Sequence, residues 1–133
     1  MSDPESPSLR NIVLVVDDET TVLRVTSATL AAAGFQVEVA GDGALGVETF
    51  RQLRREVCLV LADVVMPGMG GIAMAEQILE IDPTAKILLM SGYSDVSQEV
   101  EARNRFPFIR KPFLPADLVH RIRRLLNQAA AAQ

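Results

Sequence analysis

The sequence predicts a single α/β domain in which helices cover both faces of a parallel sheet. Short apolar runs occur at Ile12 to Val16, Val57 to Ala62 and Ile87 to Met90, and polar or turn residues follow each run. Aliphatic, β-branched runs of this kind are typical of strands buried on both faces. Segments with helical spacing separate the runs, and such alternation favours parallel strands. With 133 residues and 49% hydrophobic content, the chain has room for one core.

Two further segments have the character of edge strands. Gln36 to Ala40 alternates Val37 and Val39 with polar residues. The segment Phe106-Pro107-Phe108 contains a proline, which cannot donate to a ladder and is confined to sheet edges. Edge signatures on the second and fifth strands, with buried signatures on the other three, predict the strand order 2-1-3-4-5. This order is that of a flavodoxin-like, doubly wound, five-stranded parallel sheet, for which five helices are expected.

Apolar residues at helical spacing mark the helices that would cover the sheet. The stripes are Leu23, Thr26, Leu30 and Ala33 before Gly34, then Met74, Ile78 and Ile81 before Pro83, and finally Leu118, Ile122, Leu125 and Leu126. Such stripes are typical of amphipathic helices that pack on a core. Between the fourth and fifth strands, residues 95–104 place only Val96 and Val100 at helical spacing. This pattern predicts a thinly anchored helix that shifts easily.

The two ends of the chain are expected to lie outside the folded domain. Residues 1–9 combine Pro, Ser and acidic residues, which predicts a flexible N-terminal tail. The domain is predicted to span residues 10–127, with a C-terminal tail at 128–133 whose alanines either extend the last helix or fray. No apolar run approaches the roughly 20 residues that cross a bilayer, and the acidic start lacks signal-peptide features. We therefore expect a cytoplasmic protein without membrane insertion.

Several polar features have ordinary explanations. The net charge of −4 argues against direct nucleic-acid binding through a bulk field. His120 lies off the last helical stripe, which favours a solvated surface histidine over a phosphorelay histidine. Cys58 stands in an apolar run, where a thiol usually serves as a small buried hydrophobe. Arginines cluster on two predicted helices, at residues 51, 54 and 55 and at residues 121, 123 and 124. Such clusters are more often solvated helix faces than a surface that binds nucleic acid or an acidic partner.

Polar groups follow four of the predicted strands. They are Asp17-Asp18-Glu19 after the first, Asp63 after the third, Ser91-Gly92 after the fourth and Lys111-Pro112 after the fifth. Ligands of open parallel sheets bind beyond the carboxyl ends of the strands, so Asp17, Asp18 and Asp63 are expected to converge. Three close carboxylates repel one another unless a cation is present. Mg²⁺ fits an open cluster because it takes one or two carboxylates and phosphate oxygens and keeps several waters.

The same groups suit phosphoryl transfer. A carboxylate attacks phosphorus when the charge on the transferring group is neutralised, which the metal and Lys111 would do. The Ser91 hydroxyl would contact an equatorial phosphoryl oxygen, since this chemistry depends on positioning and charge. The carboxylates, Ser91 and Lys111 together therefore predict a site where a carboxylate accepts a phosphoryl group. Glu19 is interpreted as a charge at a helix N-terminus.

These four motifs together resemble the receiver domains of response regulators in two-component signalling. The resemblance runs from about Ile12 to Leu126 and rests on four segments: 15–19, 63–71, 90–92 and 111–113. It implies that Asp63 is phosphorylated, that Asp18 and Asp63 bind Mg²⁺ directly and that Asp17 binds it through water. The backbone carbonyl of Val65 would complete the protein ligands. Lys111 would contact the phosphoryl group, and its bond to Pro112 would be cis.

The resemblance also implies a conformational switch. The Ser91 hydroxyl would move toward the phosphoryl group while an aromatic ring at the position of Phe108 turns inward. Phe108 lacks the hydroxyl of the tyrosine that many relatives carry, so its ring packs but donates no hydrogen bond. Val65 and Tyr93 occupy the positions that flank the hydrolytic water in the family. This bulky, largely apolar pair is expected to slow self-dephosphorylation.

The expected function is that of a signalling module, which catalyses only its own phosphorylation and dephosphorylation. It would take its phosphoryl group from a histidine kinase or a histidine phosphotransfer protein. The helix predicted at 95–104, the fifth strand and the last helix would form the output surface, which is also a candidate for phosphorylation-dependent self-association. The segments 89–94 and 111–115 are similar to receivers of hybrid histidine kinases, so the parent chain is either such a kinase or a free regulator.

Two other functions remain as alternatives. One is a magnesium-dependent phosphatase with an aspartate nucleophile. Those enzymes usually place a second acid two residues after the nucleophile, and Val65 stands there in this chain. The other is a degenerate receiver used only for binding, which the complete set of acidic, hydroxyl and lysine groups disfavours.

Overall fold

The computed structural model of the protein describes residues 10–92 and 104–131, and describes side chains as far as residue 127. Five strands and four helices occur in these residues. In chain order they are β1 (Ile12–Val16), α1 (Thr20–Ala32), β2 (Gln36–Ala40), α2 (Gly43–Leu53), β3 (Val57–Asp63), α3 (Gly71–Ile81), β4 (Ile87–Ser91), β5 (Phe108–Arg110) and α4 (Pro115–Ala131).

The five strands form one parallel sheet in the order β2-β1-β3-β4-β5, which confirms the predicted topology. Val16 at the end of β1 pairs with Ala62, and Asp63 at the end of β3 pairs with Met90. The carboxyl ends of the three central strands therefore align. We call this side of the sheet the carboxyl edge.

Alternate residues of the central strands contact helices on opposite faces. On one face Leu14, Val16, Val60 and Ala62 pack against Val47 and Phe50 of α2 and Met74 and Ile78 of α3. On the other face Val13, Val15, Leu59 and Leu61 pack against Leu30 of α1 and Leu118 and Ile122 of α4. Both layers are needed to bury strands that are apolar on both sides. The stripes read from the sequence thus face the core.

The edge strands differ from the central ones as predicted. In β2 only Ala40 is buried, whereas every residue of β3 except Cys58 is buried. The fifth strand begins later than predicted, because the ladder pairs Leu89 with Phe108 and Ser91 with Arg110. Pro107 precedes the strand and only accepts, through its carbonyl, a 3.0 Å hydrogen bond from the Leu89 N–H. The proline therefore marks the start of the edge strand.

Four other predictions concern the segment before β5, the two ends of the chain and membrane insertion. The helix predicted at 95–104 lies outside the described residues except for Asn104, which is helical together with Arg105, so four complete helices are described. The alanines of the predicted C-terminal tail at 128–133 were expected either to extend the last helix or to fray, and α4 continues to Ala131. The predicted tail at 1–9 also lies outside the described residues. Among the described helices, none combines the length and the apolar character needed to cross a bilayer.

Helix α1 ends at the glycine that the sequence indicated. Gly34 has a φ of 100°, in the left-handed region that favours glycine. Its N–H donates to the Ala31 carbonyl at 3.0 Å, and the Phe35 N–H donates to the Leu30 carbonyl at 3.1 Å. This pair of bonds is a Schellman cap, which satisfies the last carbonyls of the helix and turns the chain into β2.

Candidate functional site

Asp17 follows β1 directly and is completely buried. Its Oδ1 accepts a 2.9 Å hydrogen bond from the Glu19 N–H, and its own N–H donates to the Ala40 carbonyl at 3.2 Å. Both the side chain and the backbone of Asp17 are thus fixed at the carboxyl edge. The second bond also joins this aspartate to the end of β2.

Asp63 is the last residue of β3, and only 7% of its surface is exposed. Its Oδ1 accepts a 3.1 Å hydrogen bond from the Val65 N–H. The next residue, Val64, donates its N–H to the Met90 carbonyl at 2.8 Å, which extends the pairing with β4 past the end of β3. The side chain of Asp63 is therefore held at the centre of the carboxyl edge.

The three predicted carboxylates do converge. One carboxylate oxygen each from Asp17, Asp18 and Asp63 lies within 4.8 Å of the other two. Asp17 and Asp63 are buried, whereas Asp18 is exposed, so the cluster opens to solvent on one side. An all-oxygen set with an open side fits Mg²⁺, which binds through few carboxylates and retains waters. These residues could hold one such ion.

Lys111 completes the charged part of the site from β5. Its backbone N–H donates to the Ser91 carbonyl at 2.7 Å, which places the residue beside the end of β4. Its Nζ donates to Asp63 Oδ2 at 2.7 Å and to Asp17 Oδ2 at 3.3 Å. The ammonium group thus bridges the two buried carboxylates. The bond from Lys111 to Pro112 is cis, as the resemblance to receiver domains implied.

The charges of the site are not balanced within the described residues. Burial raises the pKa of Asp17 above its ordinary value, although the Glu19 N–H and Lys111 act in the opposite direction. Burial also acts to lower the pKa of Lys111, but the hydrogen bond and charge of Asp63, and then those of Asp17, outweigh it and raise that pKa. One ammonium faces three carboxylates, so the site favours a further cation.

The Ser91 hydroxyl is buried at the end of β4 without a hydrogen-bond partner among the described residues. Its residue is 2% exposed. Buried hydroxyl groups usually have a partner, because the loss of hydration is costly. An unsatisfied hydroxyl next to a charged site is available to a ligand that supplies an acceptor.

Gly71 is a residue whose importance the sequence did not reveal. A Cβ built on it would collide with the carbonyl oxygen of Asp63, and its N–H donates to the Val64 carbonyl at 2.9 Å. Glycine supplies backbone freedom in turns, and Gly68 does so in this loop with its φ of 75°. Gly71 instead permits α3 to start against the backbone of Asp63. The adjacent glycines Gly70 and Gly71 were the feature of the sequence that could have indicated this close approach of two backbones.

The remaining predicted residues have various positions. Phe108 is partly buried and packs on the α2 and α3 side of the core. Val65 is fixed beside Asp63 by its N–H, and its residue is 39% exposed. Tyr93 lies outside the described residues. His120 is exposed, as are the arginines at 51, 54, 55, 123 and 124. Cys58 is half-buried, and burial raises the pKa of its thiol.

The fold and the site define a phospho-accepting class of signalling domain. The response regulator receiver domain family matches residues 13–123, which covers all of the sheet except Ile12 and about half of α4. The chain belongs to this family, so it is a receiver domain of two-component signal transduction. Receiver domains are signalling modules that interact with histidine kinases or phosphotransfer proteins.

Two relatives show that sequences similar to this chain occur as parts of longer proteins. The DNA-binding response regulator MtrA of Mycobacterium tuberculosis is 32% identical over 123 residues, covering 91% of this chain and 53% of that protein. The sensor kinase CckA of Brucella abortus is 30% identical over 118 residues, covering 87% of this chain and 12% of that protein. The chain thus spans about half the length of MtrA and much less of CckA.

Solved structures share the same fold. A receiver domain from Clostridium thermocellum superposes with a TM-score of 0.84 at 25% identity, covering 92% of this chain and 98% of that one. CheY of Borrelia burgdorferi, in a complex with CheX, BeF₃ and Mg²⁺, has a TM-score of 0.76 at 25% identity, covering 84% and 85%. The architecture described above is therefore that of the family.

Proposed function

We propose that Asp63 accepts a phosphoryl group from a phosphohistidine and that Asp17, Asp18, Asp63 and the Val65 carbonyl hold Mg²⁺ for this reaction. The observation that carries the proposal is the convergence of three carboxylates within 4.8 Å, with Lys111 Nζ bonded to Asp63 at 2.7 Å. The CheY structure that contains BeF₃ and Mg²⁺ supports the same chemistry in a related fold.

The transfer is a single displacement at phosphorus. An oxygen of Asp63 forms a bond to phosphorus as the bond from phosphorus to the imidazole nitrogen breaks. The electron pair of that bond stays on the imidazole, which takes up a proton from solvent. Bound Mg²⁺ supplies charge neutralisation for the transferred oxygens. The Val65 N–H holds the carboxylate of Asp63 in place by donating a hydrogen bond to it. Asp17 acts through Lys111, whose ammonium group donates to both carboxylates.

Lys111 and Ser91 have separate roles in the proposal. Lys111 already contacts Asp63 Oδ2, so a phosphoryl group on that carboxylate brings its oxygens within reach of the ammonium group. The Ser91 hydroxyl is buried and unsatisfied among the described residues, so a phosphoryl oxygen would satisfy it. A shift of Ser91, with Phe108 packing further inward, would then report the phosphorylated state.

The proposal extends to the wider setting of the domain. The donor would be a histidine kinase or a histidine phosphotransfer protein. The domain, predicted at residues 10–127 and extended by α4 to Ala131, would belong to a cytoplasmic protein. The surface formed by residues 95–104, β5 and α4 would change its affinity for a partner or for a second copy. Relatives that are a response regulator and a sensor kinase support both kinds of parent chain, including a hybrid histidine kinase.

The phosphatase alternative lacks support. An aspartate-nucleophile phosphatase would need an acid to protonate the leaving group, and the residue two positions after Asp63 is Val65. The family match over residues 13–123 is to receivers. Turnover of small phosphoesters is therefore not proposed.

The proposal is tested by incubation with acetyl phosphate and Mg²⁺, followed by intact mass spectrometry. Wild type is expected to gain the mass of one phosphoryl group with Mg²⁺ and none with EDTA. Asp63→Asn should gain none. Asp42→Asn is a matched control because Asp42 is exposed and caps α2, a role that asparagine also fills, and it should be modified like wild type. Modification of Asp63→Asn to the wild-type extent would reject the proposal.

A further inference from the structure

Two loops contribute to the proposed magnesium site from different parts of the chain. Asp17 is joined to the end of β2, since its N–H donates to the Ala40 carbonyl at 3.2 Å. Val65, whose carbonyl is a proposed ligand, lies in the loop between β3 and α3 at residues 64–70.

The start of α2 meets the loop at Gly43. This glycine is buried, and a Cβ built on it would lie 2.6 Å from the Met69 carbonyl oxygen and 3.0 Å from Met69 Cβ. Real Cβ atoms essentially never approach other atoms closer than 3.0 Å, and the Met69 carbonyl belongs to the backbone. Asp42 caps the helix beside this contact with a 2.8 Å bond from the Leu45 N–H to its Oδ1. Only glycine permits this approach.

The loop is fixed at both ends, so a displacement at Met69 is confined within it. At the start, the Val65 N–H donates to Asp63 Oδ1 at 3.1 Å. At the end, the Gly71 N–H donates to the Val64 carbonyl at 2.9 Å. Met69 lies between these bonds and packs against the core. Moving its backbone therefore displaces the segment between the two N–H groups, which includes the Val65 carbonyl.

We propose that Gly43 is a positioning residue for magnesium binding: its contact with Met69 sets where the Val65 carbonyl lies relative to Asp17 and Asp18. The inference rests on the proposed function of this site. Mg²⁺ demands near-ideal octahedral geometry with ligands at about 2.0–2.1 Å, so it tolerates little displacement of one ligand. Changes to groups that orient metal ligands typically weaken metal binding by about 10- to 100-fold.

The test is the Mg²⁺ dissociation constant of the unphosphorylated protein, measured by NMR titration, together with the free energy of unfolding in urea. Gly43→Ala is expected to weaken Mg²⁺ binding by about tenfold. Two other glycines serve as controls. A Cβ at Gly41 meets nothing within 4 Å, whereas one at Gly46 meets side-chain atoms of Met74 and Val16 at 3.0 Å. Gly46→Ala thus crowds the core without touching the loop, and both controls should bind Mg²⁺ within about twofold of wild type.

A second variant approaches the contact from the loop. Met69→Ala leaves Gly43 unchanged but removes the side chain that packs beside it, so it should also weaken Mg²⁺ binding. If Gly43→Ala does not fold, the Mg²⁺ affinity of Met69→Ala tests the inference in its place, and wild-type affinity in that variant would overturn it. A folded Gly43→Ala with wild-type affinity, or loss of affinity in Gly46→Ala to the same extent, would overturn the inference. Failure of wild type to bind Mg²⁺ would instead reject the proposed function and the inference together.

Discussion

Lys111 Nζ donates a 2.7 Å hydrogen bond to Asp63 Oδ2, so the cation that would neutralise the transferred group already contacts the carboxylate that would accept it. The two residues lie at the ends of β5 and β3, strands separated in the sheet by β4. The same ammonium lies 3.3 Å from Asp17 Oδ2. This contact joins the acceptor, the metal site and the fifth strand.

Lys111→Met is expected to slow phosphorylation of Asp63 by acetyl phosphate by about 100-fold, because a preorganised cation at the developing charge is removed. The rate is measured by intact mass over time at saturating Mg²⁺. Lys86→Met is the matched control, since Lys86 is the only other lysine and precedes β4 at the opposite end of that strand. A rate for Lys111→Met within threefold of wild type would contradict the role given to this lysine.

Ser91→Ala is expected to make the unliganded protein more stable while it weakens the stabilisation that a phosphoryl analogue provides. Because the hydroxyl has no partner among the described residues, its removal should raise the free energy of unfolding by up to about 1 kcal/mol. The extra stability that Mg²⁺ with beryllofluoride gives to wild type should fall by about 1–2 kcal/mol in this variant, through loss of one charged hydrogen bond. Both quantities come from urea unfolding with and without the ligand.

Ser27→Ala is the control for this experiment. The Ser27 hydroxyl is also buried and unpartnered among the described residues, but it lies on α1. Its removal should leave the stabilisation by beryllofluoride as in wild type. An undiminished gain in Ser91→Ala would show that the hydroxyl does not contact the phosphoryl group.

Gly71→Ala is expected to lower the free energy of unfolding by about 1–3 kcal/mol, because the added methyl group collides with the backbone of Asp63. Gly41→Ala, with open space around the new methyl group, should lie within about 0.5 kcal/mol of wild type. Urea unfolding of the three proteins measures the difference. Equal stability of the two variants would mean that α3 does not start against Asp63 as described.

Asp17→Asn is expected to stabilise the metal-free protein at pH 7 by about 1 kcal/mol while it weakens Mg²⁺ binding. Burial raises the pKa of Asp17 in the folded state. Its contribution to stability is therefore fully present below the unfolded-state pKa, which is near the ordinary value of 3.8, and is lost as the pH rises through the folded-state pKa. The advantage of Asp17→Asn should thus grow with pH.

Urea unfolding in EDTA at several pH values tests this prediction. Glu19→Gln is a suitable control because Glu19 is exposed and contacts Asp17 only through its backbone N–H. Lower stability of Asp17→Asn than of wild type at pH 7 in EDTA would contradict it. Such a result would mean that the ion pair with Lys111 outweighs the cost of burying the carboxylate.

The sequence predicted the strand order and the residues that converge because both depend on local pattern. Asp17, Asp63, Ser91 and Lys111 each end or follow an apolar run, and parallel strands bring such positions to one edge. The polar side chains also explain why the site was visible in the sequence. Carboxylate, hydroxyl and ammonium groups at the ends of buried strands are costly unless they serve a ligand.

The contacts that the sequence did not predict are contacts between backbones. Gly43 and Gly71 are needed because helix starts approach Met69 and Asp63, and no side-chain pattern encodes such an approach. The start of β5 was also misplaced, since pairing with β4 rather than local composition decides where the ladder begins.

The most direct test of the central claim is to locate the phosphoryl group. After reaction with acetyl phosphate and Mg²⁺, borohydride reduces an aspartyl phosphate to homoserine, and peptide mass spectrometry then identifies the position. Homoserine is expected at Asp63 alone, and none is expected in protein treated with EDTA. Homoserine at Asp17 or Asp18, or no modification of wild type with Mg²⁺, would contradict the central claim.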